Sequence, residues 1–148
     1  MSTELLELYQ QVIIDHSRHP RNFGRLAGAQ RADGENPLCG DRVTVYVRLS
    51  GDVVAAAAFE GGGCAICIAS ASLMTESVQS RTIVAVEALG ERVRELVTAE
   101  PDSPLDDRDP LSVLAGVRRF PIRAKCALLP WRALRAAVHQ EHGVASTE

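Results

Sequence analysis

Glu60-Gly61-Gly62-Gly63-Cys64-Ala65-Ile66-Cys67 is the stretch that decides how this chain reads. An apolar run over residues 53–59 ends in three glycines, then a thiol, then the small residues Ala69, Ser70, Ala71 and Ser72. The run before it reads as a strand, and the small residues read as a tightly packed helix over 66–79. Glycines let the backbone turn sharply and approach another group closely. A cysteine just before a helix meets unpaired N–H groups and the positive end of the helix dipole, which favour its thiolate.

Working outward, residues 43–49 alternate, with Val43, Val45 and Val47 on one face, and Ser50-Gly51-Asp52 is a turn signal. Strands 43–49 and 53–59 therefore read as a hairpin. The alanines 55–58 make its second strand thin, so something must pack close against it. Residues 22–36, rich in Gly, Asp and Asn, read as loop with at most one short edge strand. Residues 5–16 carry Leu5, Leu8, Tyr9, Val12 and Ile13 at helical spacing, with Thr3 as N-cap and Pro20 beyond the end. Arg18, His19 and Arg21 there read as cations solvated at the helix's negative pole.

Downstream, Thr82 can cap a helix to about residue 99 that buries Ile83, Val86, Leu89, Val93 and Leu96. An acidic, proline-broken loop follows over 100–110, then a short helix over 111–117. Arg123-Ala124-Lys125-Cys126 leads into a last helix over 127–141, with Leu128, Trp131, Leu134 and Val138 as its apolar stripe. Residues 143–148 read as a frayed end.

The 148 residues suit one domain, spanning 1–148, and 46% hydrophobic content supports a buried core. A net charge of −3 argues against nonspecific nucleic-acid binding. No apolar run approaches the ~18 residues of a membrane span. The first residues lack the basic-then-apolar pattern of a secretory signal, so a cytoplasmic location is the expectation. In a reducing compartment, four cysteines point to metal or redox chemistry rather than disulfides.

Cys39, in Asn36-Pro37-Leu38-Cys39-Gly40-Asp41, lies between a residue that stiffens the backbone and one that frees it. Asp41 is close enough for a loop to aim both at one point, although an isolated Asp in a loop is usually a turn or capping residue. Cys39, Asp41, Cys64 and Cys126 would make a three-thiolate, one-carboxylate set, which zinc takes as a tetrahedron with bonds near ~2.3 Å to sulfur. Four ionised ligands around a dication leave a net charge of about −2, which needs cationic partners. Arg123 and Lys125 stand beside Cys126, and Lys125 is the single lysine beside fifteen arginines. Cys67 could replace Asp41 or form a disulfide with Cys64, but a place in the first turn of a small-residue helix favours packing. His16, His19, His139 and His142 neighbour no cysteine motif and are expected at the surface.

Residues 8–16 together with His19-Pro20-Arg21-Asn22, the Cys39 motif, the stretch 61–74 and Arg123-Ala124-Lys125-Cys126-Ala127 resemble the U-type iron–sulfur cluster assembly family (IscU, SufU and the NifU N-terminal domain). The long segment between Cys64 and Cys126 resembles the SufU branch. So does Lys125, where IscU scaffolds have a histidine. Cys67 stands where family members usually carry serine. The resemblance implies an α+β fold, a small antiparallel sheet with helices packed on one face and a metal site at its exposed edge. It implies zinc on Cys39, Asp41, Cys64 and Cys126, with iron or a [2Fe–2S] cluster as the alternative. It implies sulfur acceptance by Cys39 from the persulfide of a SufS-like, pyridoxal-phosphate cysteine desulfurase, with Arg123 or Lys125 steadying the sulfur anion. Downstream iron–sulfur assembly proteins would then receive the sulfur. The alternatives are a [2Fe–2S] scaffold and a zinc protein without sulfur transfer.

Overall fold

The structure, a computed structural model, describes residues 3–140 and 144–146. Its sheet is built from β1 (Gln30–Asn36), β2 (Asp41–Ser50), β3 (Val53–Gly62) and a short β4 (Val144–Ser146). The spatial order is β3-β2-β1-β4, with β1, β2 and β3 antiparallel and β4 parallel to β1. The helices are α1 (Thr3–Arg18), α2 (Ala65–Val78), α3 (Ile83–Thr98), a 3-10 helix (Pro110–Arg119) and α4 (Pro121–Val138).

The hairpin forms as the alternation requires. Val43, Val45 and Val47 are all buried on one face of β2. The thin alanine strand lies beside α2, whose Ala69, Ser70, Ala71, Ser72 and Met74 are fully or almost fully buried. Short side chains let α2 approach α1, α4 and β3 closely, and its serines then need polar partners. Ser70 Oγ donates to the carbonyl of Ala127 in α4 at 2.6 Å. Thr82 caps α3 as expected, accepting the Ala85 N–H.

Five expectations need correction. β1 is not an edge strand, because β4 pairs with its other side. Its inward residues are Ala32, Gly34 and Asn36, so it has no apolar periodicity to find. A side chain at Gly34 would come within 3.1 Å of Leu129, so α4 rests directly on the β1 backbone. The end expected to fray therefore includes a strand, since β1 offers it free N–H and C=O groups.

α4 starts at Pro121, not at 127, which places Cys126 inside the helix. Proline in the first turn is preorganised for a helix start. Thr3 lies within α1 instead of capping it. His16 is buried, not superficial. Its Nδ1 lies 2.7 Å from Ser72 Oγ, which also accepts the Arg21 N–H at 2.8 Å. Asn22 Nδ2 donates to Thr75 Oγ1, and its carbonyl accepts the Phe59 N–H. The turn after α1 is thus pinned to both α2 and β3. His19 and His139 are exposed, and His142 lies outside the described residues.

Burial, and then the nearby Arg21 guanidinium, lower the His16 pKa below its usual 6.5, against the opposing pull of Glu76 and Asp15. The folded state therefore prefers neutral His16. Its contribution is complete above the unfolded value and is lost as pH falls through the folded one. We expect His16→Gln to flatten the fall in Tm below about pH 6.5, at a pH-independent cost near ~1 kcal/mol for the buried hydrogen bond. Thermal melts of both proteins between acid and neutral pH check this. Parallel curves would mean His16 does not titrate with unfolding.

Candidate metal centre

The three cysteine motifs meet where β1 passes into β2, where β3 passes into α2, and on the second turn of α4. Ligand atoms of Cys39, Asp41 and Cys126 all lie within 4.8 Å of one another, so this group could hold a metal ion. The Cys126 and Cys39 sulfurs are 3.4 Å apart. A zinc tetrahedron with ~2.3 Å bonds separates its thiolates by roughly 3.8 Å. Cys64 joins through Asp41, with its sulfur 3.9 Å from Oδ2.

Asp41 acts at both of its oxygens. Oδ1 accepts the Cys64 N–H at 2.7 Å, while Oδ2 faces the thiols. Cys64 is the N-cap residue of α2, without a side-chain cap bond of its own. The Asp41 carboxylate thus serves a backbone donor beside the helix start. Gly63 makes this approach possible. Its φ is +145°, and a Cβ there would fall 2.2 Å from Asp41 Oδ1.

Asp41 and Cys126 are 0% exposed, while Cys39 and Cys64 are half-buried. Burial drives the Cys126 thiol pKa upward, and its contacts with Asp41, Cys39 and Cys64 drive it the same way. The donors therefore cannot all ionise together without a cation. Arg123 reaches both Cys64 and Cys126, and the Cys64 charge, with hydrogen bonds to both sulfurs, raises its pKa. It sits three residues before Cys126, on the same face of α4. One guanidinium does not balance three thiolates and a carboxylate. A thiophilic dication fits both the donor set and the missing charge.

Lys125, half-buried, makes no hydrogen bond or ion pair among the described residues. One residue from Cys126, it is turned about 100° around the helix. Cys67 is buried beneath the group, and burial with the nearby Asp41, Cys64 and Cys39 pushes its thiol upward, so it packs as a neutral side chain.

The sequence reading missed Asn36. It is buried, pairs with Asp41 across β1 and β2, and donates from Nδ2 to the Cys126 sulfur at 3.7 Å. Its place in the Cys39 motif was the available signal. Outside the cluster, Leu38, Phe120 and Ile122 are each 60% exposed around the cysteine motifs. A cavity of about 560 Å³ lies beside Phe120, lined also by Tyr9, Ile13, Ile66, Val117 and Arg123 among others.

The NifU-like N terminal domain family matches residues 8–143, and the chain belongs to that family. It is 40% identical over 136 residues to the zinc-dependent sulfurtransferase SufU of Bacillus subtilis, covering 92% of each chain. It is 35% identical over 136 residues to the iron-sulfur cluster assembly scaffold protein IscU of Streptococcus pyogenes serotype M1, covering 92% of this chain and 86% of that one. The crystal structure of a protein described as an iron-sulfur cluster assembly scaffold for the SUF system (FiSufU), from Fervidobacterium islandicum AW-1, superposes with a TM-score of 0.79 at 29% identity, covering 93% of this chain and 99% of the other. The α+β fold and the family resemblance stand on these matches. No helix among the described residues is long and apolar enough to cross a membrane.

Gly63→Ala should displace Asp41 and break its bond to the Cys64 N–H. We expect zinc affinity, measured by chelator competition, to fall by about tenfold or more, with helix content retained. Unchanged affinity would mean that the Asp41–Cys64 contact is not what holds the group together.

Proposed function

We propose that this protein serves iron–sulfur cluster biogenesis as a zinc-dependent sulfurtransferase. It takes sulfur from the persulfide of a pyridoxal-phosphate cysteine desulfurase and passes it to downstream assembly proteins. The observation that carries this reading is the asymmetry of the thiol group. Asp41 and Cys126 are wholly buried, whereas Cys39 is partly open and follows the exposed Leu38. An anchored pair beside two part-open thiols, of which Cys64 is held by Arg123 and Cys39 is not, suits exchange better than permanent closure.

Zinc held by Cys39, Asp41, Cys64 and Cys126 would keep the thiols deprotonated at neutral pH. The Cys39 thiolate attacks the outer sulfur of the desulfurase persulfide. A new S–S bond forms on Cys39, the S–S bond of the donor breaks, and the desulfurase cysteine leaves as a thiolate. Cys39 then carries the sulfane sulfur, with no net change in oxidation state across the pair. Arg123 holds a positive charge beside Cys64 and Cys126 and acts on the sulfur-bearing anion of Cys39 through its field, not through a hydrogen bond. Lys125, which makes no such contact, is assigned no part in this step. The apolar rim of Leu38, Phe120 and Ile122, with the cavity between α1, α4 and the 3-10 helix, provides a docking face beside the thiols.

A second reading has support in the Streptococcus pyogenes relative, which is named a scaffold. Three thiolates and a carboxylate could also hold a [2Fe–2S] cluster. Anaerobic reconstitution with iron and sulfide separates the two, since a scaffold becomes coloured and transfers its cluster to an apo-protein.

Desulfurase turnover, followed as alanine release under reductant, tests the first reading. The zinc-loaded protein should stimulate it strongly and the zinc-stripped protein should not. Cys39→Ala should abolish persulfide on this chain, and Arg123→Ala should slow transfer by at least about tenfold. Equal stimulation with and without zinc would refute the zinc-dependent reading.

A further inference from the structure

Asn36 is 0% exposed, and its Oδ1 has no hydrogen-bond partner among the described residues. A buried amide oxygen left unpaired costs stability. An apolar side chain of similar shape would remove that cost. The other end of the amide has a partner, since Nδ2 donates to the Cys126 sulfur at 3.7 Å. An ionised Cys126 carries no proton of its own, so only the N–H side of the amide can face it favourably. The main chain of Asn36 also faces the site, its carbonyl accepting the Cys39 N–H at 3.2 Å.

The donors are shared unequally among the three cysteines. Cys126 has the Asn36 amide and the Arg123 guanidinium, and Cys64 has Arg123. The Cys39 sulfur receives no N–H donor among the described residues. An N–H bonded to a thiolate draws charge from the sulfur, lowering its nucleophilicity and its tendency to pick up a proton.

We propose that Asn36 is a positioning residue for the metal centre, its amide N–H fixing the Cys126 thiolate as the permanent ligand and leaving Cys39 as the one that exchanges. The proposal rests on the reading of the cysteine group as a metal centre. Asn36 touches neither the incoming sulfur nor its donor. Its side chain acts through Cys126.

Asn36→Leu keeps the branched shape and deletes both the N–H donor and the orphan oxygen. Asn36→Ala deletes them without filling the space. The metal-free Asn36→Leu protein should melt at or above the wild-type Tm, because an unpaired buried polar atom is gone. Its zinc affinity, by chelator competition, should drop about tenfold or more. In the cobalt-substituted protein, the sulfur-to-cobalt charge-transfer band should move to lower energy as the Cys126 thiolate becomes richer in electrons. Asn36→Ala should show the same band shift even if its Tm falls from the cavity. Wild-type zinc affinity together with an unmoved band in either folded variant overturns the proposal. Failure of the wild-type protein to bind zinc or cobalt through sulfur would overturn the metal-centre reading, and this proposal with it.

Discussion

The hydrogen bond from the Cys64 N–H to the Asp41 carboxylate, 2.7 Å long, is the contact on which the site depends. It ties the first residue of β2 to the N-cap of α2 across the glycine elbow. One carboxylate oxygen is committed to the backbone, which aims the other at the thiols. The bond needs Gly63, whose left-handed backbone and missing Cβ leave room for the carboxylate. Asp41 also pairs with Asn36 across β1 and β2, so sheet register brings the buried amide to the Cys126 sulfur. Strand pairing, elbow geometry and the polar lining of the site are one construction.

Electrostatics then decides what that construction can do. Two thiols and a carboxylate within 4.8 Å of one another, with the Cys64 sulfur 3.9 Å from that carboxylate, resist ionising together, and burial drives Cys126 the same way. Arg123 offsets part of the charge from the exposed side of α4. Among the described residues no histidine belongs to the group, and Lys125 makes no hydrogen bond or ion pair. A dication would complete the balance, and sulfur donors favour zinc or iron over harder metals. Cys67, buried close to Asp41, Cys64 and Cys39, packs as a neutral side chain.

Much of this was legible before the fold was known, and the misses have physical causes. The hairpin and elbow announce themselves because β-branched residues alternate in β2 and three glycines follow β3. The capped helix after Thr82 is equally local. β1 was hard to find because Ala32, Gly34 and Asn36 point inward, and its partners β2, β4 and α4 supply what its own side chains lack. The start of α4 was placed six residues late because the turn containing Arg123 and Lys125 has no apolar stripe, though Pro121 marks the true start. His16 looked superficial because its partner Ser72 is 56 residues away in sequence. Asn36 escaped for the same reason, since its importance lies in a contact with a sulfur 90 residues further on.

X-ray absorption at the zinc edge of the zinc-loaded protein tests the central claim most directly. The account predicts a shell of three sulfurs near ~2.3 Å and one oxygen near ~2.1 Å, with Asp41→Asn or Cys126→Ser changing that shell. A shell of four sulfurs would put Cys67 in place of Asp41 and contradict the geometry described above. A shell of oxygen and nitrogen alone would contradict the metal centre itself.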